Sequence, residues 1–228
     1  MIRIELLTES SLIICFGEGI DPSLSLCIRQ AVDAIDARFG ALLTDMVPSY
    51  NSLHITFCLG RVCGPDLRTE LLQLLQRLES EPVGGQVQIE HDIPVYYGTE
   101  VALDLEQVAL CSGLSRKQVI ALHCATPYRV YAIGFSPGFC YLGTIPEQLA
   151  TPRKDTPRSR VRAGSVAIAE RQTAIYPDDS PGGWQVLGRT PQPMHPADSK
   201  APRLQVGDLV RFCAIDRREF LALGGKLD

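Results

Sequence analysis

Apolar residues recur along this chain in two periods, and the switches between them lay out its elements. Residues 2–6 (IRIEL) and 12–16 (LIICF) are short β-type runs. Asp21 and Pro22 form an N-cap and first-turn signal. Leu24, Ile28, Ala31, Ile35 and Phe39 then follow at three- and four-residue spacing, and Gly40 is read as closing the helix. Alternation returns over 52–59, where Leu53, Ile55 and Phe57 interleave with His54, Thr56 and Cys58. Pro65 opens a second amphipathic helix carrying Leu67, Leu71, Leu74, Leu75 and Leu78 and ending near Ser80. Pro82, Gly84 and Gly85 interrupt the pattern, which places a boundary between a module at 1–84 and a second at 85–228. The first module reads as two helices on one sheet.

Beyond that boundary, 86–97 reads as strand, with Pro94 arguing for an edge or a bulge. Two short helices follow, with Asp104 and Ser115 as their caps. From Tyr128 onward the text changes character. Eleven of the sixteen prolines lie between Pro127 and Pro202, and the apolar runs there are short and separated by turns. Residues 129–135, 161–169, 184–188 and 208–215 are the clearest strands, a punctuation that favours a sandwich or barrel. The fold class is therefore α+β, a two-layer α/β module followed by a strand-rich one.

Composition narrows the function classes. With 45% hydrophobic and 21% charged residues in 228, the chain has the apolar mass for a packed core and is neither disordered nor fibrous. A net charge of −4 leaves no basic footprint for nucleic acid. Residues 104–125 have a helix-turn-helix outline, but the second helix turns apolar at once (Val119, Ile120, Ala121, Leu122), so a hairpin packed on a sheet explains the same letters. No apolar run is long enough to span a membrane, and the N-terminus lacks the charged-then-apolar plan of a signal peptide. The expectation is a cytoplasmic protein.

The eight cysteines are scattered without a CxxC, mostly among apolar neighbours, and are read as buried free thiols. Histidines 54, 91, 123 and 195 do not cluster, and no HExxH or HxH is present, so no metal site is expected. Gly17-Glu18-Gly19 extends to neither GxGxxG nor a P-loop. Residues 134–138 (GFSPG) match GxSxG only superficially, because Pro137 falls where the nucleophile elbow enters its helix.

Three segments carry more than packing requires. Residues 134–143 (GFSPGFCYLG) interleave Phe135, Phe139 and Tyr141 with Gly134, Gly138 and Gly143. Residues 151–162 (TPRKDTPRSRVR) place five basic side chains against Asp155, with Pro152 and Pro157 restricting the loop; arginine forks suit carboxylate or phosphate. Residues 176–189 (YPDDSPGGWQVLGR) hold the only tryptophan and a Ser-Pro-Gly-Gly turn. Together they describe an aromatic pocket with a basic rim, fit for a small anionic ligand or a partner's loop.

These three segments, in this order from about Tyr128 to Pro191, resemble the family of KipI and the 5-oxoprolinase B subunit (PxpB). That family is related in turn to subunit 1 of allophanate hydrolase and to the C-terminal part of the carboxyltransferase region of urea carboxylase. The resemblance implies an N-terminal α/β domain followed by a cyclophilin-like β-barrel. It also implies a cytoplasmic protein that works with 5-oxoprolinase subunits A and C, opening the lactam of 5-oxo-L-proline to L-glutamate with ATP hydrolysed by the complex. By the same resemblance, the substrate- or partner-facing surface falls at Phe135, Pro137, Gly138, Phe139, Tyr141, Tyr176, Ser180, Gly182, Gly183, Trp184 and Gln185, with Arg153, Arg158 and Arg189 as anion contacts. The motifs single out no catalytic residue. The alternative within the family is a KipI-like inhibitor of a sensor histidine kinase, a binding module without catalysis. One departure stands out: where the family reads Gly-Gly before Gln-Thr, this chain has Glu170-Arg171, adding bulk and charge at a hairpin.

Overall fold

The computed structural model describes residues 2–19, 21–80, 89–195 and 203–227. The chain forms two compact units, Met1–Gln88 and Ile89–Asp228. The boundary expected between residues 84 and 85, and the first residues of the strand expected at 86–97, lie outside the described residues.

In the first unit, β1 (Arg3–Thr8), β2 (Ser11–Cys15), α1 (Pro22–Phe39), β3 (Leu43–Pro48), β4 (Ser52–Phe57) and α2 (Gly64–Ser80) follow one another. The strands form an antiparallel sheet in the order β1-β2-β4-β3. Asp21 caps α1, its Oδ1 accepting from the Ser23 N–H at 2.9 Å. Ile28, Ala31, Ile35 and Phe39 of α1 and Leu67, Leu71 and Leu75 of α2 meet Ile4, Leu12, Ile14, Leu53, Ile55 and Phe57 of the sheet in one core. The unit is thus two layers, helices on sheet. Gly40 does not close α1 in a left-handed turn; it keeps right-handed φ and ψ of −50° and −36° and leads into a 3-10 turn at Gly40–Leu42. The edge strand β3 was not expected, because its half-exposed residues give no clean alternation.

The second unit contains β5 (Glu90–Tyr96), α3 (Leu105–Ser112), α4 (Arg116–Ala125), β6 (Tyr128–Ile133), β7 (Cys140–Gly143), β8 (Arg158–Val161), β9 (Ser165–Ala169), β10 (Gln172–Ile175), β11 (Ser180–Gly182), β12 (Gln185–Arg189), β13 (Leu209–Ile215) and α5 (Arg217–Ala222). Seven of these strands close a barrel in the order β10-β7-β6-β13-β5-β12-β9, while β8 and β11 pair as a separate ribbon. The period-2 alternation sends Ile93, Val95, Val130, Cys140, Leu142, Val166, Ile168, Ile175, Leu187, Val210 and Phe212 into one core, the barrel interior. The expected α+β architecture, a two-layer module followed by a closed barrel, is what the chain forms.

Some expectations need correction. The strand read over 161–169 is two strands, because Gly164 takes φ +79° and a Cβ there would lie 2.5 Å from the Thr190 carbonyl oxygen. Pro94 is not on an edge: β5 lies between β13 and β12, but β12 joins it only through Arg189 and Tyr96, so one of its ladders is nearly open. Ser115 caps α4 in a capping box with Gln118, as the sequence predicts. Asp104 makes no side-chain capping bond. All eight cysteines are free, yet only Cys140 is buried. In an alternating strand, apolar sequence neighbours point to the opposite face, which leaves Cys15 and Cys213 part-exposed.

His123 of α4 is fully buried against the barrel core. Its ring stacks on Phe212 with centroids 4.6 Å apart. Thr173 Oγ1 donates to the Ala167 carbonyl at 3.1 Å and therefore accepts from His123 Nε2, also 3.1 Å away. The proton thus sits on Nε2, and the Tyr97 hydroxyl donates to Nδ1 at 2.8 Å.

Glu170 and Arg171 form the two-residue loop of the β9–β10 hairpin, between the paired Ala169 and Gln172. Glu170 carries φ +52°, the conformation a glycine takes without penalty. Glu170→Gly retains the N–H bond to the Thr151 carbonyl and is expected to stabilise the chain by about 0.5–1 kcal/mol, the left-handed penalty less glycine's added chain entropy. The urea midpoint should rise with an unchanged slope; an unchanged or lower midpoint would show that no such penalty is carried.

Candidate functional site

The outward-facing residues of one side of the barrel build a second, smaller cluster. Tyr141 of β7, Ala167 and Ala169 of β9, Ala174 of β10 with Tyr176 beyond its end, and Trp184 and Val186 at β12 meet Phe139 and Val161. The three alanines keep the barrel wall low, and aromatic rings stand on it. Phe139 is the hub, its ring meeting Tyr141, Tyr176 and Trp184 edge-on at centroid distances of 4.9, 5.3 and 5.8 Å. Each such pair adds about 0.5–1.5 kcal/mol beyond area burial and fixes ring orientation. Phe135 meets Phe139 at 5.3 Å but is 67% exposed and holds φ +74°. A non-glycine residue in that conformation stores about 1–2 kcal/mol of strain, and here the strain presents an aromatic ring to solvent.

The β8–β11 ribbon and the basic loop lie over this wall. A cavity of about 500 Å³ results, lined by the five rings of Phe135, Phe139, Tyr141, Tyr176 and Trp184 together with Arg153, Lys154, Pro157, Pro181, Gly182 and Gly183. Its size and apolar walls are those of a small-molecule site. Lys154 anchors the loop by its N–H bond to the Gly183 carbonyl at 2.8 Å. The Arg153 guanidinium sits 5.8 Å from the Trp184 ring, within cation–π range. Gly182 is required for close approach, since a Cβ there would run into the Tyr176 hydroxyl. Burial pushes the Tyr176 phenol above its ordinary value, so it faces the cavity as a neutral group.

The sequence-predicted residues divide between this cavity and its surroundings. Phe135, Phe139, Tyr141, Arg153, Tyr176, Gly182, Gly183 and Trp184 are brought together in it. Pro137 and Gly138 belong to the turn before β7; Gly138, at φ +76°, leaves room for the His195 ring, whose Cε1 would lie 2.5 Å from an added Cβ. Ser180 sits in the ribbon, paired with Val161. Gln185 is buried and donates Nε2 to the Pro152 carbonyl at 3.0 Å, bracing the loop from behind. Arg158 does not face the cavity as an anion contact, because both its Nη atoms are spent on Asp104. Arg189 is buried, donates to the Lys226 carbonyl at 2.8 Å and borders a different cavity of about 380 Å³ with Arg162, Asp179 and Thr190. Asp179 there is held down at about 2, chiefly by the Ala163 N–H and then by Arg160. Glu170 and Arg171 line neither cavity, so the departure from the family pattern leaves the aromatic walls untouched.

Sequence reasoning missed Lys154, Pro157 and Pro181 individually, although their segments were singled out. It also read Asp104 as a cap. Among the described residues no group of three histidine, cysteine, aspartate or glutamate side chains is placed to hold a metal ion, and no helix is long and apolar enough to cross a membrane.

The family model described as "Carboxyltransferase domain, subdomain C and D" matches residues 2–205. The 5-oxoprolinase B subunit of Bacillus subtilis (strain 168) is 33% identical over 96% of this chain and 95% of its own length. This chain belongs to the 5-oxoprolinase B-subunit family. The Escherichia coli O157:H7 protein of the same name is 37% identical over 85% of this chain and 88% of its own length. Among solved structures, TTHA0988 superposes with a TM-score of 0.78 at 35% identity, over 95% of this chain. The chain spans only 40% of that longer polypeptide. PH0987 from Pyrococcus horikoshii, 36% identical, is covered over its whole length, with a TM-score of 0.56. The Kluyveromyces lactis urea carboxylase shares the fold at a TM-score of 0.72 and 16% identity, this chain matching 22% of it.

Proposed function

We propose that this chain is the B subunit of an ATP-dependent 5-oxoprolinase, a cytoplasmic complex with subunits A and C that converts 5-oxo-L-proline to L-glutamate. The observation that carries the proposal is end-to-end similarity to relatives named as that component, with the aromatic cavity built from the segments that mark the family. A lactam is a poor electrophile. Phosphoryl transfer from ATP to its oxygen activates the ring carbon. Water adds there, the C–N bond breaks as a proton passes to the nitrogen, and a second water hydrolyses the resulting acyl phosphate to the glutamate carboxylate and phosphate. Charge developing at that carbon calls for fixed donors. On this reading the cavity takes the five-membered ring against Trp184, Tyr176 and Phe139, with the Arg153 guanidinium toward the substrate carboxylate.

The same residues do not fit a nucleoside triphosphate. Of the two lining cations, Lys154 is already paired with Asp104, and no helix N-terminus contributes to the lining. ATP binding is therefore proposed for the partner subunits. The test is glutamate formation from 5-oxo-L-proline and ATP by purified subunits A and C, with and without this chain. Activity that requires the chain is expected; equal activity in its absence would overturn the proposal and make inhibition of a sensor histidine kinase the next assay.

A further inference from the structure

Asp104 stands at the entry to α3 but turns its carboxylate away from the helix and into the wall behind the cavity, where it is 4% exposed. Four donors converge on it: Arg158 Nη1 at 2.8 Å and Nη2 at 2.7 Å, Lys154 Nζ at 3.1 Å, and the Val186 N–H at 2.8 Å. Its own N–H bonds to the Val186 carbonyl at 2.9 Å, so Asp104 pairs with β12 through backbone and side chain together. A capping aspartate needs none of this. A buried carboxylate with a bidentate arginine, a lysine and a backbone N–H has its acceptor sites filled and its geometry fixed.

Its three attachments reach three parts of the cavity. Arg158 begins β8, one strand of the ribbon overhead; Lys154 lines the cavity from the basic loop; Val186 lies two residues past Trp184 on β12. The pairing also sorts the cations. Lys154 and Arg158 are neutralised in part by one carboxylate, whereas among the described residues Arg153, on the same loop, forms no ion pair and lies over Trp184. Burial works against the charged form of Asp104, but the donors from Arg158, Val186 and Lys154 outweigh it and keep the carboxyl below its ordinary value.

We infer that Asp104 is the positioning residue of the cavity: by clamping Lys154 and Arg158 it sets the basic loop so that Arg153 presents its charge to a single carboxylate on a small apolar ring. This rests on the substrate assignment above and adds to it the residue that decides carboxylate selectivity. Asp104 acts through Lys154 and the loop without touching the ligand.

The sole tryptophan, Trp184, gives a direct readout on the full chain. Its fluorescence is titrated with 5-oxo-L-proline and with 2-pyrrolidinone, which keeps the lactam and lacks the carboxylate. The wild type is expected to respond saturably to the acid at a concentration at least tenfold lower than to the neutral lactam, the scale of one charge-assisted contact. Asp104→Asn should raise the midpoint for the acid about tenfold and leave that for 2-pyrrolidinone in place, with Asp104→Glu recovering part of the loss. A merely structural role would move both ligands together, in step with lost thermal stability. That result, an unaltered or lowered midpoint for the acid in Asp104→Asn, or no saturable response to the acid in the wild type would each overturn the inference. The glutamate assay on the assembled complex fails or succeeds independently, so a wrong functional reading is told apart from a wrong role for Asp104.

Discussion

In the assembled complex, Arg153→Ala should raise the KM for 5-oxo-L-proline about 10- to 100-fold, the range expected when a charged hydrogen-bonding partner is removed. The cavity walls are aromatic, and of its two cations only Arg153 stands without a carboxylate partner among the described residues. Its position over Trp184 holds the guanidinium plane at the cavity edge. Loss of the carboxylate contact weakens substrate and transition state alike, so kcat should change far less than KM. Arg153→Lys keeps the charge but not the planar fork and should recover only part of the affinity. A KM unchanged by Arg153→Ala would remove the cavity from substrate binding.

The second large effect is an acid transition governed by His123. Burial lowers its pKa from 6.5 to about 3 in the folded chain. Below pH 6.5 the unfolded chain binds a proton that the folded chain refuses, so stability is lost as pH falls through the window between 6.5 and about 3. At about 1.4 kcal/mol per pH unit, the loss across that window reaches about 4–5 kcal/mol, a large part of the stability of an ordinary domain. The hydrogen bonds give the same direction: Nδ1 accepts from Tyr97, and a protonated Nδ1 would face that hydroxyl as a second donor. His123→Gln removes the titration. Denaturant unfolding at a series of pH values should therefore show a shallower slope between pH 6.5 and 4 for the variant, on a lower stability at neutral pH from the lost ring stacking. Parallel slopes for wild type and variant would contradict the assignment.

What the sequence discloses follows from how local each signal is. The Asp21-Pro22 start of α1 and its buried stripe from Ile28 to Phe39 are written in consecutive residues, and so is the capping box at Ser115. The barrel's closure is not, because it depends on β5 pairing in parallel with β13, whose residues lie more than a hundred positions away. The aromatic cavity was visible as composition, since Phe139, Tyr141, Tyr176 and Trp184 are gathered in two short segments. Which cation faces it was not. Arg158 and Arg153 share one basic stretch, and only Asp104, some fifty residues earlier, separates the clamped side chain from the presented one. Asp104 itself sits where a helix cap is expected, so its letter carried a sufficient local explanation that the fold does not use.

Whether the outer wall of the barrel receives the substrate decides the rest. A crystal structure of the chain assembled with its partner subunits and 5-oxo-L-proline tests this most directly. The ligand ring is expected among Phe139, Tyr176 and Trp184, with its carboxylate on Arg153. Substrate bound elsewhere in an active complex, with the aromatic cavity vacant, would contradict it.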